Sequence, residues 1–389
     1  MKRNVKLILV SIVVLFIVVG TIFWFVNNKE SDIANKEENN EVEETNNENN
    51  VLDNNDNDNN SNDENNEPKL VNPIEVLDYY GEECLAIEDT IERGDCLQEL
   101  GKVNINWYVN EEKHQFYFPF QREQSHWQYL FYKDVDENDQ LGSVQEGESF
   151  EEMDESSLEA GEEAFEEFWH VISNLIPKDN REYLKALYWV DTGEEYVLAV
   201  GNKDPDSMYL LLSELATQYH PRVRYLVFHE LGHVLTLNSS QVDVHEDLFD
   251  AEGDELEQIV EEIEANCETI FANGRCMKED SYIYDYYKQF WEDIYDTHAE
   301  IDWENEEEFE EFFFEYEDRF FNTYQATSFV EDIAEMFAYF IHSHSSMTEE
   351  SDMKYEKIKF FYEIDEFVEL RTNILENLRE MIITENKVY

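Results

Sequence analysis

The segment that most constrains the fold is residues 221–238, PRVRYLVFHELGHVLTLN. It opens with a proline, which suits the first turn of a helix, and closes on an asparagine, which is common at helix ends. Apolar side chains surround the predicted helix on nearly all sides, so this helix is expected inside a core. His229, Glu230 and His233 are then polar groups within that core, and such groups need partners.

His229 and His233 stand four residues apart, and Glu230 lies between them in an HExxH pattern. This spacing puts both imidazoles on one face of a helix, close enough to bind one tetrahedral Zn2+ ion. The carboxylate between them is then placed to take a proton from water at the metal. The competing interpretation is two helix histidines that make ordinary hydrogen bonds. The buried context favours the metal site.

Zinc requires a third protein ligand, and the residues leave two places for it. The extended form H-E-x-x-H-x-x-G-x-x-H is absent, because Thr236 stands where its glycine belongs. An acid from a later helix is therefore expected. Glu331 and Glu335 lie four apart in SFVEDIAEMFAYFI, residues 328–341. One could bind the metal while the other hydrogen-bonds a ligand histidine.

Two observations keep this choice open. Ser328 and Glu331 also fit a capping box, which would explain the glutamate without a metal. Glu264 and Glu268 have the same spacing in the predicted helix 255–272, which lies closer along the chain to the histidines. Because acids are abundant throughout the chain, spacing by itself does not decide between the two pairs.

Two segments resemble zinc metallopeptidases of Gram-positive bacteria, which belong to the gluzincin group. The first is HELGHVLTLN. The second is YQATSFVEDIAEMF, residues 324–337, which is similar to the pattern Y-A-x-T-N-x-x-E-D-x-A-E and to the corresponding segment of the anthrax lethal factor catalytic domain. Ser328 stands where the pattern has asparagine, which alters a helix cap and not a ligand. The matching positions in the second segment are Tyr324, Thr327, Glu331, Asp332, Ala334 and Glu335.

The resemblance implies a zincin-like domain that hydrolyses a peptide or protein substrate. It makes Glu331 the third zinc ligand and Glu335 the hydrogen-bond partner of a ligand histidine. It makes Tyr324 the group that stabilises the oxyanion. Because the resemblance is weak across the N-terminal half of the chain, it implies little about which substrate is cut.

The start of the chain predicts a membrane anchor. Residues 5–26 form an apolar run with a single charge, Lys6, near its beginning, and from Leu7 onward the run is about 20 residues, the length that spans a bilayer core. Basic residues precede it and acids follow it, so the N-terminus is expected in the cytoplasm and the remainder outside. A cleaved signal peptide is the alternative, but no small-residue cleavage site is evident.

Residues 27–67 predict a disordered stalk, because they are rich in asparagine and acids and show no apolar periodicity. The formal net charge of the chain is −66. The first 67 residues carry −9 of it by count, so −57 falls on residues 68–389. A field of this sign repels nucleic acid and attracts cations and basic peptides.

The cysteines predict two disulfides. There are four, no C-x-x-C motif occurs, and an even number in an exported domain favours disulfides over a thiolate metal site. Pairing Cys84 with Cys96 and Cys267 with Cys276 closes the shortest loops, which cost the least entropy. The sequence does not exclude the two other pairings.

The expected fold class is α+β, with strands in the N-terminal half and mostly helices after residue 221. Within one domain, 68–389, we expect an α+β part at 68–220 and a helical, zinc-binding part at 221–389. Apolar patterns predict these elements: helices at 71–100 and 156–176, and strands at 103–109, 115–120, 127–132, 183–190 and 195–200.

These patterns together predict a membrane-anchored extracellular zinc peptidase. Two alternatives remain open at this point. One is a surface binding or adhesion module that holds zinc for structure, in which a side chain would close the fourth metal position. The other is a cell-wall amidase, although no segment resembles a wall-binding repeat.

Overall fold

A computed structural model describes residues 72–104, 128–150, 153–192, 197–214, 221–249, 251, 253–303 and 305–387. The predicted anchor at 5–26 and stalk at 27–67 lie outside these residues. Among the helices that the structure does describe, none is long and apolar enough to cross a membrane.

The architecture is α+β, as the sequence predicts. Five strands form the main sheet: β1 Gln128–Asp134, β2 Gln145–Glu146, β3 Leu184–Asp191, β4 Leu198–Asp204 and β5 Ser207–Leu212. Their order is β2-β1-β3-β5-β4. β3 and β5 are parallel, and the other neighbouring pairs are antiparallel. β4 therefore forms one edge of this sheet.

The strands of the sheet centre are buried on both faces. Leu198 and Val200 of β4 face the main core, whereas Ala199 between them joins a small cluster on the opposite face. This division follows from the two-residue period of a strand. The predicted strands 127–132, 183–190 and 195–200 correspond to β1, β3 and β4.

Other parts of the strand prediction were incomplete or wrong. The sequence SMYLLL of β5 was not predicted as a strand, because a short continuous apolar run has no period that separates strand from buried helix. The predicted strand 115–120 lies outside the described residues. So does most of 103–109, whose first two residues belong to a helix.

Eleven α-helices surround the sheet in the described residues. They are α1 Pro73–Leu85, α2 Thr90–Asn104, α3 Glu155–Leu175, α4 Pro221–Thr236, α5 Asp254–Asn266, α6 Tyr282–Phe290, α7 Tyr295–Ala299, α8 Glu306–Glu315, α9 Phe329–His342, α10 Met353–Tyr362 and α11 Asp365–Glu385. The predicted helix 156–176 is α3. The predicted helix 71–100 is two helices, and the predicted helix 255–272 ends at Asn266.

A second, three-stranded sheet interrupts the helical half, where mostly helices were expected. It consists of β6 Val242–Asp243, β7 Phe271–Ala272 and β8 Arg275–Met277, in the order β6-β8-β7. Asn273 and Gly274 connect β7 to β8, with φ of 52° and 75°. Two successive left-handed residues, Asn-Gly, form the two-residue turn that suits a twisted hairpin.

Both predicted disulfides are present. Cys84–Cys96 joins α1 to α2, and Cys267–Cys276 joins the end of α5 to β8, with Cα–Cα distances of 5.4 and 5.5 Å. The Cys84–Cys96 disulfide links the two N-terminal helices across the loop that separates them, so it holds this helical pair together. The second holds β8 against the helix that precedes its hairpin.

The N-terminal helices pack against the end of the chain. Asp95 of α2 accepts a 3.0 Å hydrogen bond from Arg371 of α11, and both side chains are buried. Gln98 of α2 donates to the backbone carbonyl of His342 at the end of α9. Residues 72–104 thus contact the helical part of the fold, although they precede the sheet in sequence.

Candidate metal centre

Two buried helices, α4 and α9, pack side by side and carry the predicted site residues His229, Glu230, His233, Glu331 and Glu335, whereas Tyr324 precedes a short 3-10 turn before α9. All 14 residues of α9 are buried, and α4 is buried along most of its length and also packs on β4. The ends of both helices follow from sequence. The Asn238 side chain donates to the carbonyls of Val234 and Leu235, and Ser328 accepts a 3.1 Å hydrogen bond from the backbone of Glu331.

Gly232 allows α4 and α9 to approach closely. A Cβ atom built at this glycine would lie 2.9 Å from Cα and 3.2 Å from the carbonyl oxygen of Ala334. Backbone atoms cannot move aside as a flexible side chain can. The glycine inside HELGH therefore brings the histidines of α4 within reach of the glutamates of α9.

We expect Gly232→Ala to separate these helices. The added methyl group should cost about 1–3 kcal/mol of folding free energy through overpacking. Zinc affinity should fall by roughly tenfold, which is equivalent to about 1.4 kcal/mol. Leu235→Ala, one turn away, removes packing without adding an atom at the helix contact. Thermal unfolding and zinc titration should show a stability loss in both variants, but reduced affinity only in Gly232→Ala.

Three ligand atoms converge between the two helices. His229 Nε2 and His233 Nε2 lie 3.1 Å apart, and Glu331 Oε2 lies 3.3 Å from the first and 3.2 Å from the second. All three side chains are buried. Within the described part of the chain, these are the residues arranged as a possible metal-binding group.

The spacing of these atoms fits zinc. Bonds of about 2.0–2.1 Å at tetrahedral angles place neighbouring ligand atoms about 3.3–3.4 Å apart, close to the observed triangle. A ring nitrogen with one hydrogen cannot donate to a second ring nitrogen and a carboxylate together. A cation satisfies all three atoms at once. The donor set, two imidazoles and one carboxylate, also matches the preference of zinc.

Glu331 and the histidines perturb one another electrostatically. Burial works to raise the pKa of Glu331, but the charge of His233 and hydrogen bonds with both histidines hold that pKa well below its usual range. Burial works to lower the pKa of His229, but hydrogen bonds to Glu331 and Glu335 raise it well above its ordinary value. Burial lowers the pKa of His233. The Glu331 carboxylate is therefore ionised and available as a ligand.

Glu335 contacts the side of the His229 ring that faces away from Glu331. Its Oε1 lies 3.1 Å from His229 Nδ1, and its Oε2 accepts hydrogen bonds from Tyr225 at 2.6 Å and Asn322 at 3.0 Å. Partners of this kind fix the orientation of a metal-binding imidazole. The structure places Glu335 beside the Nδ1 atom of His229, and it adds Tyr225 and Asn322, which the sequence did not identify.

Glu230 lies beside the three converging residues and is buried. Burial, together with the charge of Glu331, raises the pKa of its carboxyl to about 8, although the charge of His229 opposes the shift. The backbone N–H of Val200 on edge strand β4 faces this carboxylate and favours its charged form. Its Oε1 has no hydrogen-bond partner among the described residues.

Tyr324 also belongs to the cluster. Its hydroxyl donates a 2.6 Å hydrogen bond to Glu331 Oε2, and its ring lies 5.7 Å from that of His229. Burial and the charge of Glu331 raise the pKa of this phenol well above its ordinary value. Tyr324 is therefore a neutral hydrogen-bond donor in contact with a predicted ligand.

Asp332, next to Glu331, anchors α9. Its Oδ2 accepts hydrogen bonds from Tyr286 at 2.9 Å, Trp291 at 2.7 Å and Lys357 at 2.5 Å. The charged side chains of Asp332 and Lys357 are both fully buried. Removing either one would leave an uncompensated charge in the core. This network ties α9 to α6 and α10, so it fixes the helix on which Glu331 is carried.

The rival ligands are not part of the cluster. Glu264 and Glu268 are both exposed, one near the end of α5 and the other just after it, and neither belongs to the converging group in the described residues. The capping-box interpretation of Ser328 and Glu331 is compatible with the metal site. The cap uses the backbone N–H of the glutamate, whereas its carboxylate faces the histidines.

Comparisons with known proteins identify no relative. No protein-family model matches the chain, and neither a curated protein nor a solved structure matches it.

Proposed function

We propose that residues 68–389 are a zinc-dependent peptidase domain of zincin type. The observation that carries the proposal is the triangle of His229, His233 and Glu331, whose three ligand atoms lie 3.1–3.3 Å apart with Glu230 beside them. The pairing of an HExxH helix with a glutamate from a later helix supports the gluzincin subgroup. The edge strand beside Glu230 adds an element on which an extended peptide can align.

Each residue of the centre has a chemical task in peptide hydrolysis. His229, His233 and Glu331 would hold the zinc ion. When bound, zinc supplies a Lewis acid that polarises the scissile carbonyl and acidifies water. Glu230 takes a proton from the attacking water at its carboxylate and passes it to the nitrogen of the leaving amine. Glu335 keeps the His229 ring oriented through Nδ1.

Tyr324 would turn its hydroxyl from Glu331 Oε2 and donate a hydrogen bond to the oxyanion that forms from the scissile carbonyl. We expect Tyr324→Phe to leave zinc affinity within a few-fold of wild type, because the hydroxyl contacts a ligand without being one. Peptide turnover should fall by on the order of 10²–10³, the usual cost of losing one such donor. Steady-state kinetics beside zinc titration test this. A large loss of zinc would contradict the assigned role and make Tyr324 a support for Glu331.

The direct test of the proposal is metal content together with activity. The purified full-length chain should hold one zinc per chain by elemental analysis. It should cleave a mixed peptide library, lose this activity in a chelator and regain it with added zinc. A chain that binds zinc but cleaves no peptide would favour the alternative of a binding module with structural zinc.

The structural-zinc alternative has less support from geometry. A structural site uses four protein ligands, whereas three converge here in the described residues. Glu230, the remaining acid of the cluster, has an unpartnered oxygen and lies where a base is needed. A cell-wall amidase would use the same centre, so the library should include wall peptides with their amide bonds.

We further propose that the domain lies outside the cell, held by the apolar segment 5–26. The two disulfides support this placement, because disulfides persist in oxidising, extracytoplasmic compartments. The acidic surface fits a domain that works on peptides and not on nucleic acid.

A further inference from the structure

One buried arginine near the candidate centre lacks a carboxylate partner, whereas every other arginine whose side chain the structure describes has one. Arg275 opens β8 and is 8% exposed. No acid of the described residues lies within ion-pair distance of it, and burial lowers its pKa to about 10. The other described arginine side chains each pair with a carboxylate: Arg93, Arg181, Arg319, Arg371 and Arg379.

Two buried donors at this point have nothing to donate to. The Arg275 NH2 group donates to Asn202 Oδ1, and its NH1 group donates to the backbone carbonyl of Asn273. Arg275 Nε and Asn202 Nδ2 are both buried without a hydrogen-bond partner among the described residues. Both atoms are donors, so they cannot satisfy each other. They need an acceptor, and beside a guanidinium the favoured acceptor is an anion.

These donors lie close to the reacting groups. Asn202 stands two residues along β4 from Val200, the residue whose N–H faces Glu230. Two residues of strand span about 6.6 Å. The helix α4, which carries Glu230, packs on this strand. A group bound at Arg275 would therefore sit one or two substrate residues from a peptide bond held at Glu230.

The hairpin presents Arg275 rigidly. The Asn273-Gly274 turn precedes it, Cys276 beside it is bonded to Cys267, and the following Met277 pairs with Val242 of β6. An arginine held this firmly loses little entropy when it binds an anion. Such a fixed position is what a recognition residue requires.

We propose that Arg275, with Asn202, binds a carboxylate of the peptide substrate and makes the enzyme prefer substrates that carry one near the cut. This inference rests on the proposed peptidase function. The carboxylate comes either from an aspartate or glutamate side chain or from the C-terminus of the peptide. The acidic surface of the domain repels such peptides at long range, so the buried guanidinium acts as a short-range selector.

Three peptide libraries distinguish the sources. All three contain N-acetylated octapeptides. The first library has glutamate at one fixed position and an amidated C-terminus. The second, neutral library has glutamine at that position and an amidated C-terminus, and the third has glutamine at that position and a free C-terminal carboxylate. Wild type should cleave one carboxylate library at least tenfold faster than the neutral library, as expected for a charge-assisted hydrogen bond. If the first library is cleaved faster, Arg275 recognises an acidic side chain. If the third library is cleaved faster, Arg275 recognises the C-terminal carboxylate.

The variants test whether Arg275 causes the preference. Arg275→Gln should reduce the ratio of kcat/KM values between libraries to about one, and Arg275→Lys should restore part of it. Lys278→Gln is the control, because it removes a nearby cation that already contacts Asp243 and the Ser239 carbonyl. Equal ratios in wild type and Arg275→Gln, at matched thermal stability, would overturn the proposal while leaving the peptidase function intact.

A binding measurement separates this proposal from the peptidase function. Calorimetry with Glu230→Gln, which should not cleave, measures binding of the same three libraries. Tighter binding of a carboxylate library that disappears in Glu230→Gln/Arg275→Gln supports the recognition role even if wild type cleaves no peptide. Equal binding of all three libraries to Glu230→Gln would overturn it.

Discussion

Glu230→Gln should abolish peptide cleavage while the chain still binds one zinc ion. The amide keeps the size and shape of the side chain and can still face the Val200 N–H, but it cannot accept a proton from water. Loss of a positioned general base costs on the order of 10²–10⁴ in rate. The zinc ligands are untouched, so elemental analysis should give the same metal content as wild type.

Glu264→Gln is the matched control, because it makes the same chemical change at an exposed acid of α5. It should leave both zinc content and turnover unchanged. Cleavage at the wild-type rate in Glu230→Gln would contradict the base role and favour a zinc site that serves structure. A loss of zinc together with activity would instead mean that Glu230 holds the centre together.

The secondary structure was predictable where local signals agree. Helix α4 was bounded correctly, because a proline opens it and an asparagine caps its end. The break between α1 and α2 was missed, although the sequence carries its signal. Asp89 accepts a hydrogen bond from the backbone of Glu92, which is the start of a capping box. The start of α2 was missed because the apolar residues over about 30 positions fitted one continuous helix.

The side chains of the candidate metal centre could be proposed from the sequence because their spacing is local. The two histidines lie one helical turn apart, and Glu331 and Glu335 repeat that spacing. The choice between the two acidic pairs was not predictable from spacing, since it depends on which helix packs against α4. Gly232 controls that packing through its contact with Ala334, a contact between residues more than 100 positions apart.

The supporting residues could not be found from sequence. Tyr225 and Asn322 meet at Glu335 from separate parts of the chain, and neither belongs to a recognisable pattern. Arg275 was hidden for another reason. A single arginine among many acids is expected to be paired at the surface, and only the structure shows that it is buried without a counter-charge among the described residues.

Glu331, the proposed third ligand, links the other groups of the candidate centre. Its Oε2 faces both imidazoles and also accepts the Tyr324 hydroxyl, so one oxygen links the ligand triangle to the proposed oxyanion donor. Glu335 sits one turn later and contacts the opposite nitrogen of His229. We therefore expect truncation of Glu331 and truncation of Glu335 to reduce zinc affinity by different amounts.

Glu331→Ala should remove most of the bound zinc, since two imidazoles without the carboxylate cannot complete the site. Glu335→Ala should weaken zinc binding by roughly 10–100-fold, the usual cost of losing a partner that orients a ligand. Competition titration with a chelating dye measures both affinities, and circular dichroism checks that each variant folds.

Zinc binding provides a second measurement that does not depend on activity. A ligand that binds only the folded state raises the unfolding temperature, so added zinc should raise it in wild type and much less in Glu331→Ala. Glu264→Ala serves as the control and should respond to zinc as wild type does, because Glu264 is exposed and outside the triangle. If Glu331→Ala kept full zinc affinity and Glu264→Ala lost it, the third ligand would lie on α5. The role of Tyr324, which depends on its contact with Glu331, would then be lost as well.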